Sequence, residues 1–179
     1  MAKRILIYTN HFYPEQFKIN EIVEWLSSED TEVRVITGLP NYPSGNFIKN
    51  YKNIYKTNVT INRLLLIPRG GGSTIMLIAN YLSYFISCFF FTIYIALFKK
   101  KYEIIFVHHT SPLFISIHPI IYSLFNKSKK IIWDLDIWPE SLKAVKIIKS
   151  SFLFSTIRFC VKLIYSNYDL VLVGSKSLV

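Results

Sequence analysis

Short apolar runs alternate with helically spaced apolar positions along this chain, and polar, turn-rich stretches separate them. Ile5–Thr9 reads as a buried strand. Ile19, Ile22, Val23 and Leu26 recur at helical spacing and predict a helix of about ten residues. Glu32–Thr37 is the second strand. Thr57–Ile67 reads as one or two extended segments, closed by Pro68 and Gly70–Gly72. A long helix over Ile75–Phe98, a strand over Glu103–Val107, a helix over Leu113–Phe125 and a strand over Lys130–Trp133 follow. Helices near 140–148 and 152–166 precede a last strand, Asp169–Val173. Strands alternating with helices predict one α/β domain over residues 1–179, a Rossmann-like, doubly wound parallel sheet. Ligands of such sheets bind outside the carboxyl ends of the strands. The loops at 10–18, 38–47, 108–112, 134–140 and 174–177 all leave those ends, and their convergence argues for a site there.

The long helix changes the picture of where the domain sits. No charged residue occurs from Gly70 to Phe98, and Lys99, Lys100 and Lys101 follow at once. At 1.5 Å per residue the segment is roughly 36 Å long, enough to cross a bilayer core. Asn80, Ser83 and Ser87 nevertheless share one helical face, and a crossing would part the strands before it from those after it. The pattern favours a core or interfacial helix with a lipid-compatible face, Phe85 and Phe89 toward lipid and the three lysines meeting phosphate. Charge agrees. Twenty-one Lys and Arg against eleven Asp and Glu give +10, with 51% hydrophobic residues, which points to an anionic surface. The apolar excess favours bilayer head groups over nucleic acid, whose binding modules are not visible. Cys88 and Cys160 make neither a disulfide framework nor a metal site, as in a reducing cytoplasm, and the opening apolar run is too short for a signal peptide.

Candidate chemistry concentrates in Trp133–Leu142, read WDLDIWPESL. Asp134 and Asp136 offer acceptors for hydroxyls, and share a side if the strand continues that far; Trp133 and Trp138 offer flat faces. A carboxylate there could act as a general base. The plainer alternative makes the indoles core residues and Glu140 a favourable charge at a helix N-terminus. The first loop has no G-x-G-x-x-G, and Phe12, Tyr13, Pro14 and Phe17 would block a dinucleotide. Gly70–Gly72 lacks a following Lys-Ser/Thr and reads as a hinge. No second cluster gives His108 and His109 a metal-ligand spacing, so no metal is expected; one imidazole should face a polar ligand and the other be buried and satisfied. Ser111 precedes Pro112 and lies in no nucleophile elbow.

Four segments carry a resemblance: FYPE at Phe12–Glu15, LPNYPSG at Leu39–Gly45, TSP at Thr110–Pro112 and DLDIWPESL at Asp134–Leu142. In this order they resemble the N-terminal half of a family 4 glycosyltransferase of the two-Rossmann-domain (GT-B) type. The nearest branch is that of bacterial O-antigen and capsule enzymes, including N-acetylfucosamine transferase-like members. The resemblance implies retaining transfer from a nucleotide sugar, the co-substrate, to a polyprenyl-diphosphate-linked acceptor, with no metal or other cofactor. It implies that this half receives the acceptor at the cytoplasmic face of the inner membrane, while a C-terminal half, in cis or in trans, holds the nucleotide. Asp134, Asp136 and His109 are then the expected catalytic residues. His11, Glu15, Asn41, Tyr42, His108, Ser111, Trp138 and Glu140 are the expected substrate-binding ones. Two departures stand out: Gln16-Phe17-Lys18 replace glycines of the first loop, and aspartates stand where many relatives have a histidine after the fifth strand. The chain stops after its sixth predicted strand, so this half alone is expected to be inactive. The alternative is a non-catalytic membrane-anchoring subunit that recruits a separate nucleotide-sugar-binding half.

Overall fold

The computed structural model describes residues 3–29, 31–136, 138–141 and 150–174. Six strands, β1 (Lys3–Thr9), β2 (Thr31–Gly38), β3 (Val59–Leu64), β4 (Ile104–His109), β5 (Lys129–Asp134) and β6 (Leu170–Val173), form one sheet. Every pairing is parallel and the spatial order is β3-β2-β1-β4-β5-β6. The order reverses between β1 and β4, which places the switch-point crevice between their loops.

Helix α1 (Ile19–Ser28) covers one face, burying Ile19 and Val23 against Ile5, Ile7, Val33 and Val35. On the other face lie α2 (Thr74–Phe98), α3 (Ile117–Ser123) and α4 (Ser151–Tyr165), around a core of Leu6, Tyr8, Ile36, Ile105, Val107 and Ile132. The predicted helix from Leu113 begins as a tight 3-10 turn, Leu113–Ser116, before α3. Pro119 explains this, since it has no N–H to bond back into the preceding turn and is accommodated only in a helix's first turn. The predicted helix near 140–148 lies outside the described residues from 142 onward, as does the predicted loop from 175.

Because β1 pairs with β4, the strands before and after α2 belong to one sheet. The face that α2 turns to the sheet is unusually polar: Asn80, Tyr84, Cys88 and Thr92 are buried there. Tyr84 Oη donates to Thr9 O at 2.9 Å, and Tyr8 and Thr92 share a hydroxyl bond of 3.0 Å. The predicted Asn80-Ser83-Ser87 stripe docks the segment after β3. Asn80 donates to Ile67 O, Ser83 accepts from Ile67 N, and Ser87 donates to Leu65 O. The opposite face carries exposed Ile75, Ile78, Leu82, Ile86, Phe90, Leu97 and Phe98. The helix is thus inverted relative to one designed for water, its polar side in and its apolar side out.

Candidate functional site at the carboxyl edge of the sheet

Four loops meet at this edge, after β1, β2, β4 and β5, each with a cis X-Pro bond. Burial and hydrogen bonding fix their relative positions. Glu15 is 4% exposed. Its Oε1 accepts from the backbone N–H of Asn41 and of Tyr42, both at 2.7 Å, and its Oε2 meets His11 Nδ1 at 2.9 Å. Burial alone would raise this carboxyl. The His11 bond and charge, with the two amides, outweigh it and hold Glu15 below its ordinary value. Glu15 therefore clamps the first loop to the second. Asn10 ties the first loop to the third in turn, donating through Nδ2 to Thr110 O and Ser111 O.

His108 and His109 end β4 and project to opposite faces, as alternate strand residues must. His109 falls on the α2–α4 side. Its Nδ1 meets Asp134 Oδ1 at 2.7 Å, with both side chains essentially inaccessible to solvent. Asp134 Oδ2 accepts from Tyr165 Oη at 2.5 Å. Burial, reinforced by the bond and charge of Asp134, pushes the Tyr165 phenol up, so it remains a donor. A neutral His109 that gives its Nδ1–H to the carboxylate presents Nε2 as a lone-pair acceptor, and that atom is buried without a protein partner. On the α1 side, His108 Nδ1 lies 3.0 Å from Thr9 Oγ1. Its own Nε2 is likewise buried without a protein partner. Burial, with His11 and His109 nearby, depresses His108 to about 4. The expectation is that one imidazole faces a polar ligand and the other is buried and satisfied; instead both rings are buried, and each keeps an Nε2 without a protein partner.

Asp134 and Asp136 do not act as a matched pair of ligand acceptors. Asp134 is enclosed by His109 and Tyr165, and Asp136 Oδ2 takes the backbone N–H of Ser111. Ser111 Oγ accepts from Trp138 Nε1 at 2.9 Å, and Trp138 stands edge-on to Phe114 at 6.5 Å. Tyr42, 41% exposed, forms an aromatic rim with His11 at 5.2 Å and Phe17 at 5.5 Å. Asn41 is buried, donating to Leu39 O. Glu140 instead sits outside this group, exposed and 3.9 Å from Arg158 on α4. Among the predicted membrane contacts, Phe89 and Lys99–Lys101 are exposed. Phe85 is half-buried against His118 at 4.8 Å and Phe114 at 6.3 Å.

The residues that the sequence concealed are Thr9, Tyr165, Arg69 and Tyr81. The first two position the histidines. Arg69 lies between the rings of Tyr42 and Tyr81, 5.4 and 5.2 Å from their centres, and donates to Tyr81 Oη. Among the described residues no group of three His, Cys, Asp or Glu side chains is arranged to hold a metal ion. The arrangement offers an exposed Tyr42 ring suited to stacking, and at His109 an oriented imidazole acceptor that is closed to solvent. No protein-family model matches this chain, and no curated protein sequence does.

Proposed function

We propose that this domain is the acceptor-binding, membrane-docking half of a retaining glycosyltransferase. In this reading a sugar moves from a nucleotide sugar to a polyprenyl-diphosphate-linked acceptor at the cytoplasmic face of the inner membrane, with the nucleotide held by a second half. The observation that carries the reading is the inverted helix α2: 25 residues long, it turns an apolar face outward and meets the carboxyl edge of the sheet, where Tyr84 bonds Thr9 O. Exposed apolar area of that extent calls for lipid or protein cover. Lys99, Lys100 and Lys101 follow the helix, and Asn126, which donates to Ala96 O at 2.8 Å, brings Lys127 to the same end. Cations there suit both the helix's negative end and anionic head groups.

In the proposed roles, His109 Nε2, buried in this state, receives the acceptor hydroxyl once the covering loops part, with Asp134 and Tyr165 holding the ring in place. Tyr42 and Trp138 stack on the sugar, and Asp136 keeps the Ser111 turn in register. The hydroxyl oxygen forms the new bond to the anomeric carbon as the bond to the nucleotide phosphate breaks. The exposed apolar residues of β6, Leu170, Val171 and Leu172, favour a second half packing nearby.

Transfer itself is the test. The chain is supplied with a nucleotide-sugar-binding half and a polyprenyl-diphosphate-linked acceptor in anionic vesicles. Labelled sugar should reach the lipid, and Phe90→Glu with Leu97→Glu should reduce transfer by releasing the chain from the vesicles. Vesicle binding without any acceptor bound would favour the anchoring-subunit alternative. No vesicle binding at all would remove both.

A further inference from the structure

The start of α2 separates two cavities of different character. On one side Ile78, Tyr81, Leu82, Phe85 and Phe114 line an apolar groove of about 390 Å³. On the other, Pro43, Ser44, Gly45, Arg69, Gly70–Gly72 and Leu77 line a polar cavity of about 390 Å³. Leu77 and Ile78 are consecutive, and Tyr81 joins the two spaces, since its ring lines the groove and its hydroxyl accepts from Arg69 Nη2 at 2.6 Å. Both volumes lie in the range of small-molecule sites.

The polar cavity is built for an anion. Among the described residues no carboxylate lies within ion-pair distance of Arg69, and its Nε is buried with no acceptor in the protein. A buried guanidinium N–H without an acceptor is costly, and a phosphate oxygen is its strongest ordinary partner. The adjoining turn leaves open space at Gly71 and Gly72, where a Cβ would meet nothing within 4 Å, while the Gly70 N–H is spent on Gly45 O at 3.0 Å; Gly70 and Gly72 have φ of +61° and +85°. Turns of this kind, opening on the positive end of a 25-residue helix, favour negative charge. The apolar groove is walled by the rings of Tyr81, Phe85 and Phe114, and its volume suits the first units of one unsaturated chain better than the paired chains of a phospholipid.

We propose that Arg69 and the Gly70–Gly72 turn hold the diphosphate of a polyprenyl carrier whose first isoprene units lie in the groove of Ile78, Leu82, Phe85 and Phe114. This rests on the acceptor reading above and extends it to residues outside the His109 cluster. The carrier's sugar then lies toward Tyr42, which shares the Arg69 guanidinium with Tyr81.

The test uses the full chain and three probes: farnesyl diphosphate, farnesol and inorganic diphosphate. Farnesyl diphosphate should bind at least tenfold more tightly than either part. Arg69→Gln and Gly71→Asp should each weaken it at least tenfold and leave farnesol unchanged, while Leu82→Asp should weaken both prenyl probes. Gly71→Asp adds its charge where a side chain has room, so it answers even if Arg69→Gln fails to fold. Phosphatidylglycerol vesicles should bind Gly71→Asp as they bind the parent chain. Farnesyl diphosphate binding no tighter than farnesol, or binding within twofold after Gly71→Asp, would overturn the subsite. A lipid-linked oligosaccharide that fails to bind while farnesyl diphosphate binds would sink the acceptor reading and leave this subsite standing.

Discussion

At the carboxyl edge of the sheet two buried carboxylates face two imidazoles, and the two pairs are completed differently. On the β1–β2 side, Glu15 spends one oxygen on His11 and the other on two backbone N–H groups of the neighbouring loop. On the β4–β5 side, Asp134 spends one oxygen on His109 and the other on Tyr165, a side chain from a distant helix. The first pair ends in backbone, and its work is to hold two loops together. The second ends in an imidazole nitrogen with no protein partner, and its work is to aim that nitrogen. A His–carboxylate pair is thus no signature of chemistry by itself; what its outer atoms meet decides its use.

That distinction predicts opposite consequences for the two carboxylates. Glu15→Ala strips a buried carboxylate from His11 and leaves two amides unmatched, and should cost about 3–5 kcal/mol in chemical denaturation. Ligand affinity of the molecules that remain folded should change little. A stability loss under 1 kcal/mol would mean the clamp does not hold the loops.

Acidification separates the two sides next. His108 is depressed in the folded state to about 4 from an ordinary 6.5, so the unfolded chain binds the extra proton between those values. Its contribution is complete above pH 6.5 and is lost as pH falls toward 4, worth about 3 kcal/mol at most. Glu15, also lowered, begins to lose its contribution only below the ordinary carboxyl value of 4.5. Melting curves across pH 7 to 3 should therefore fall in two stages, and His108→Leu should shrink the first, leaving the part due to His118, which burial also lowers. A flat profile between pH 6.5 and 4.5 would contradict the burial assigned to His108.

Asp134→Asn is expected to be milder for the fold, about 1–2 kcal/mol, because an amide can still bond both His109 and Tyr165. It should nonetheless cost ligand binding tenfold or more, since the amide no longer fixes which imidazole nitrogen carries the proton. Equal damage to stability from Asp134→Asn and Glu15→Ala would erase the contrast. The smallest effect belongs to the rim: Arg158→Ala removes an exposed pair with Glu140 and should change stability by no more than about 0.5 kcal/mol.

Strand periodicity and turn residues made the sheet legible: all six strands occur where the apolar runs lie, and parallel pairing follows from the alternation with helices. The helix predicted over Leu113–Phe125 occurs as α3, Ile117–Ser123, after a tighter start that Pro119 forces. The polar stripe Asn80-Ser83-Ser87 was readable as a protein-facing side because helical spacing is local. The site was less legible. Glu15, Tyr42, His108, His109, Asp134 and Ser111 do gather at one edge, yet Thr9, Tyr165 and Arg69, which meet His108, Asp134 and Tyr42, come from positions with no distinguishing pattern. Tyr165 reaches Asp134 across 31 residues, and His108 reaches Thr9 across 99. Such partnerships are set by how elements pack, and local sequence does not encode them. For the same reason spacing suggested that Asp134 and Asp136 face one ligand together, whereas the protein's own donors claim an oxygen of Asp136 and both of Asp134.

The most direct test of the account is binding of a polyprenyl-diphosphate-linked sugar to the chain in anionic lipid bicelles, with a nucleotide sugar beside it. The lipid-linked sugar should bind and the nucleotide sugar should not, with His109→Asn, which keeps an N–H for Asp134 but lacks Nε2, weakening binding at least tenfold in the molecules that remain folded. Tight binding of the nucleotide sugar with none of the lipid-linked sugar would assign this domain to the opposite side of the reaction and contradict the account.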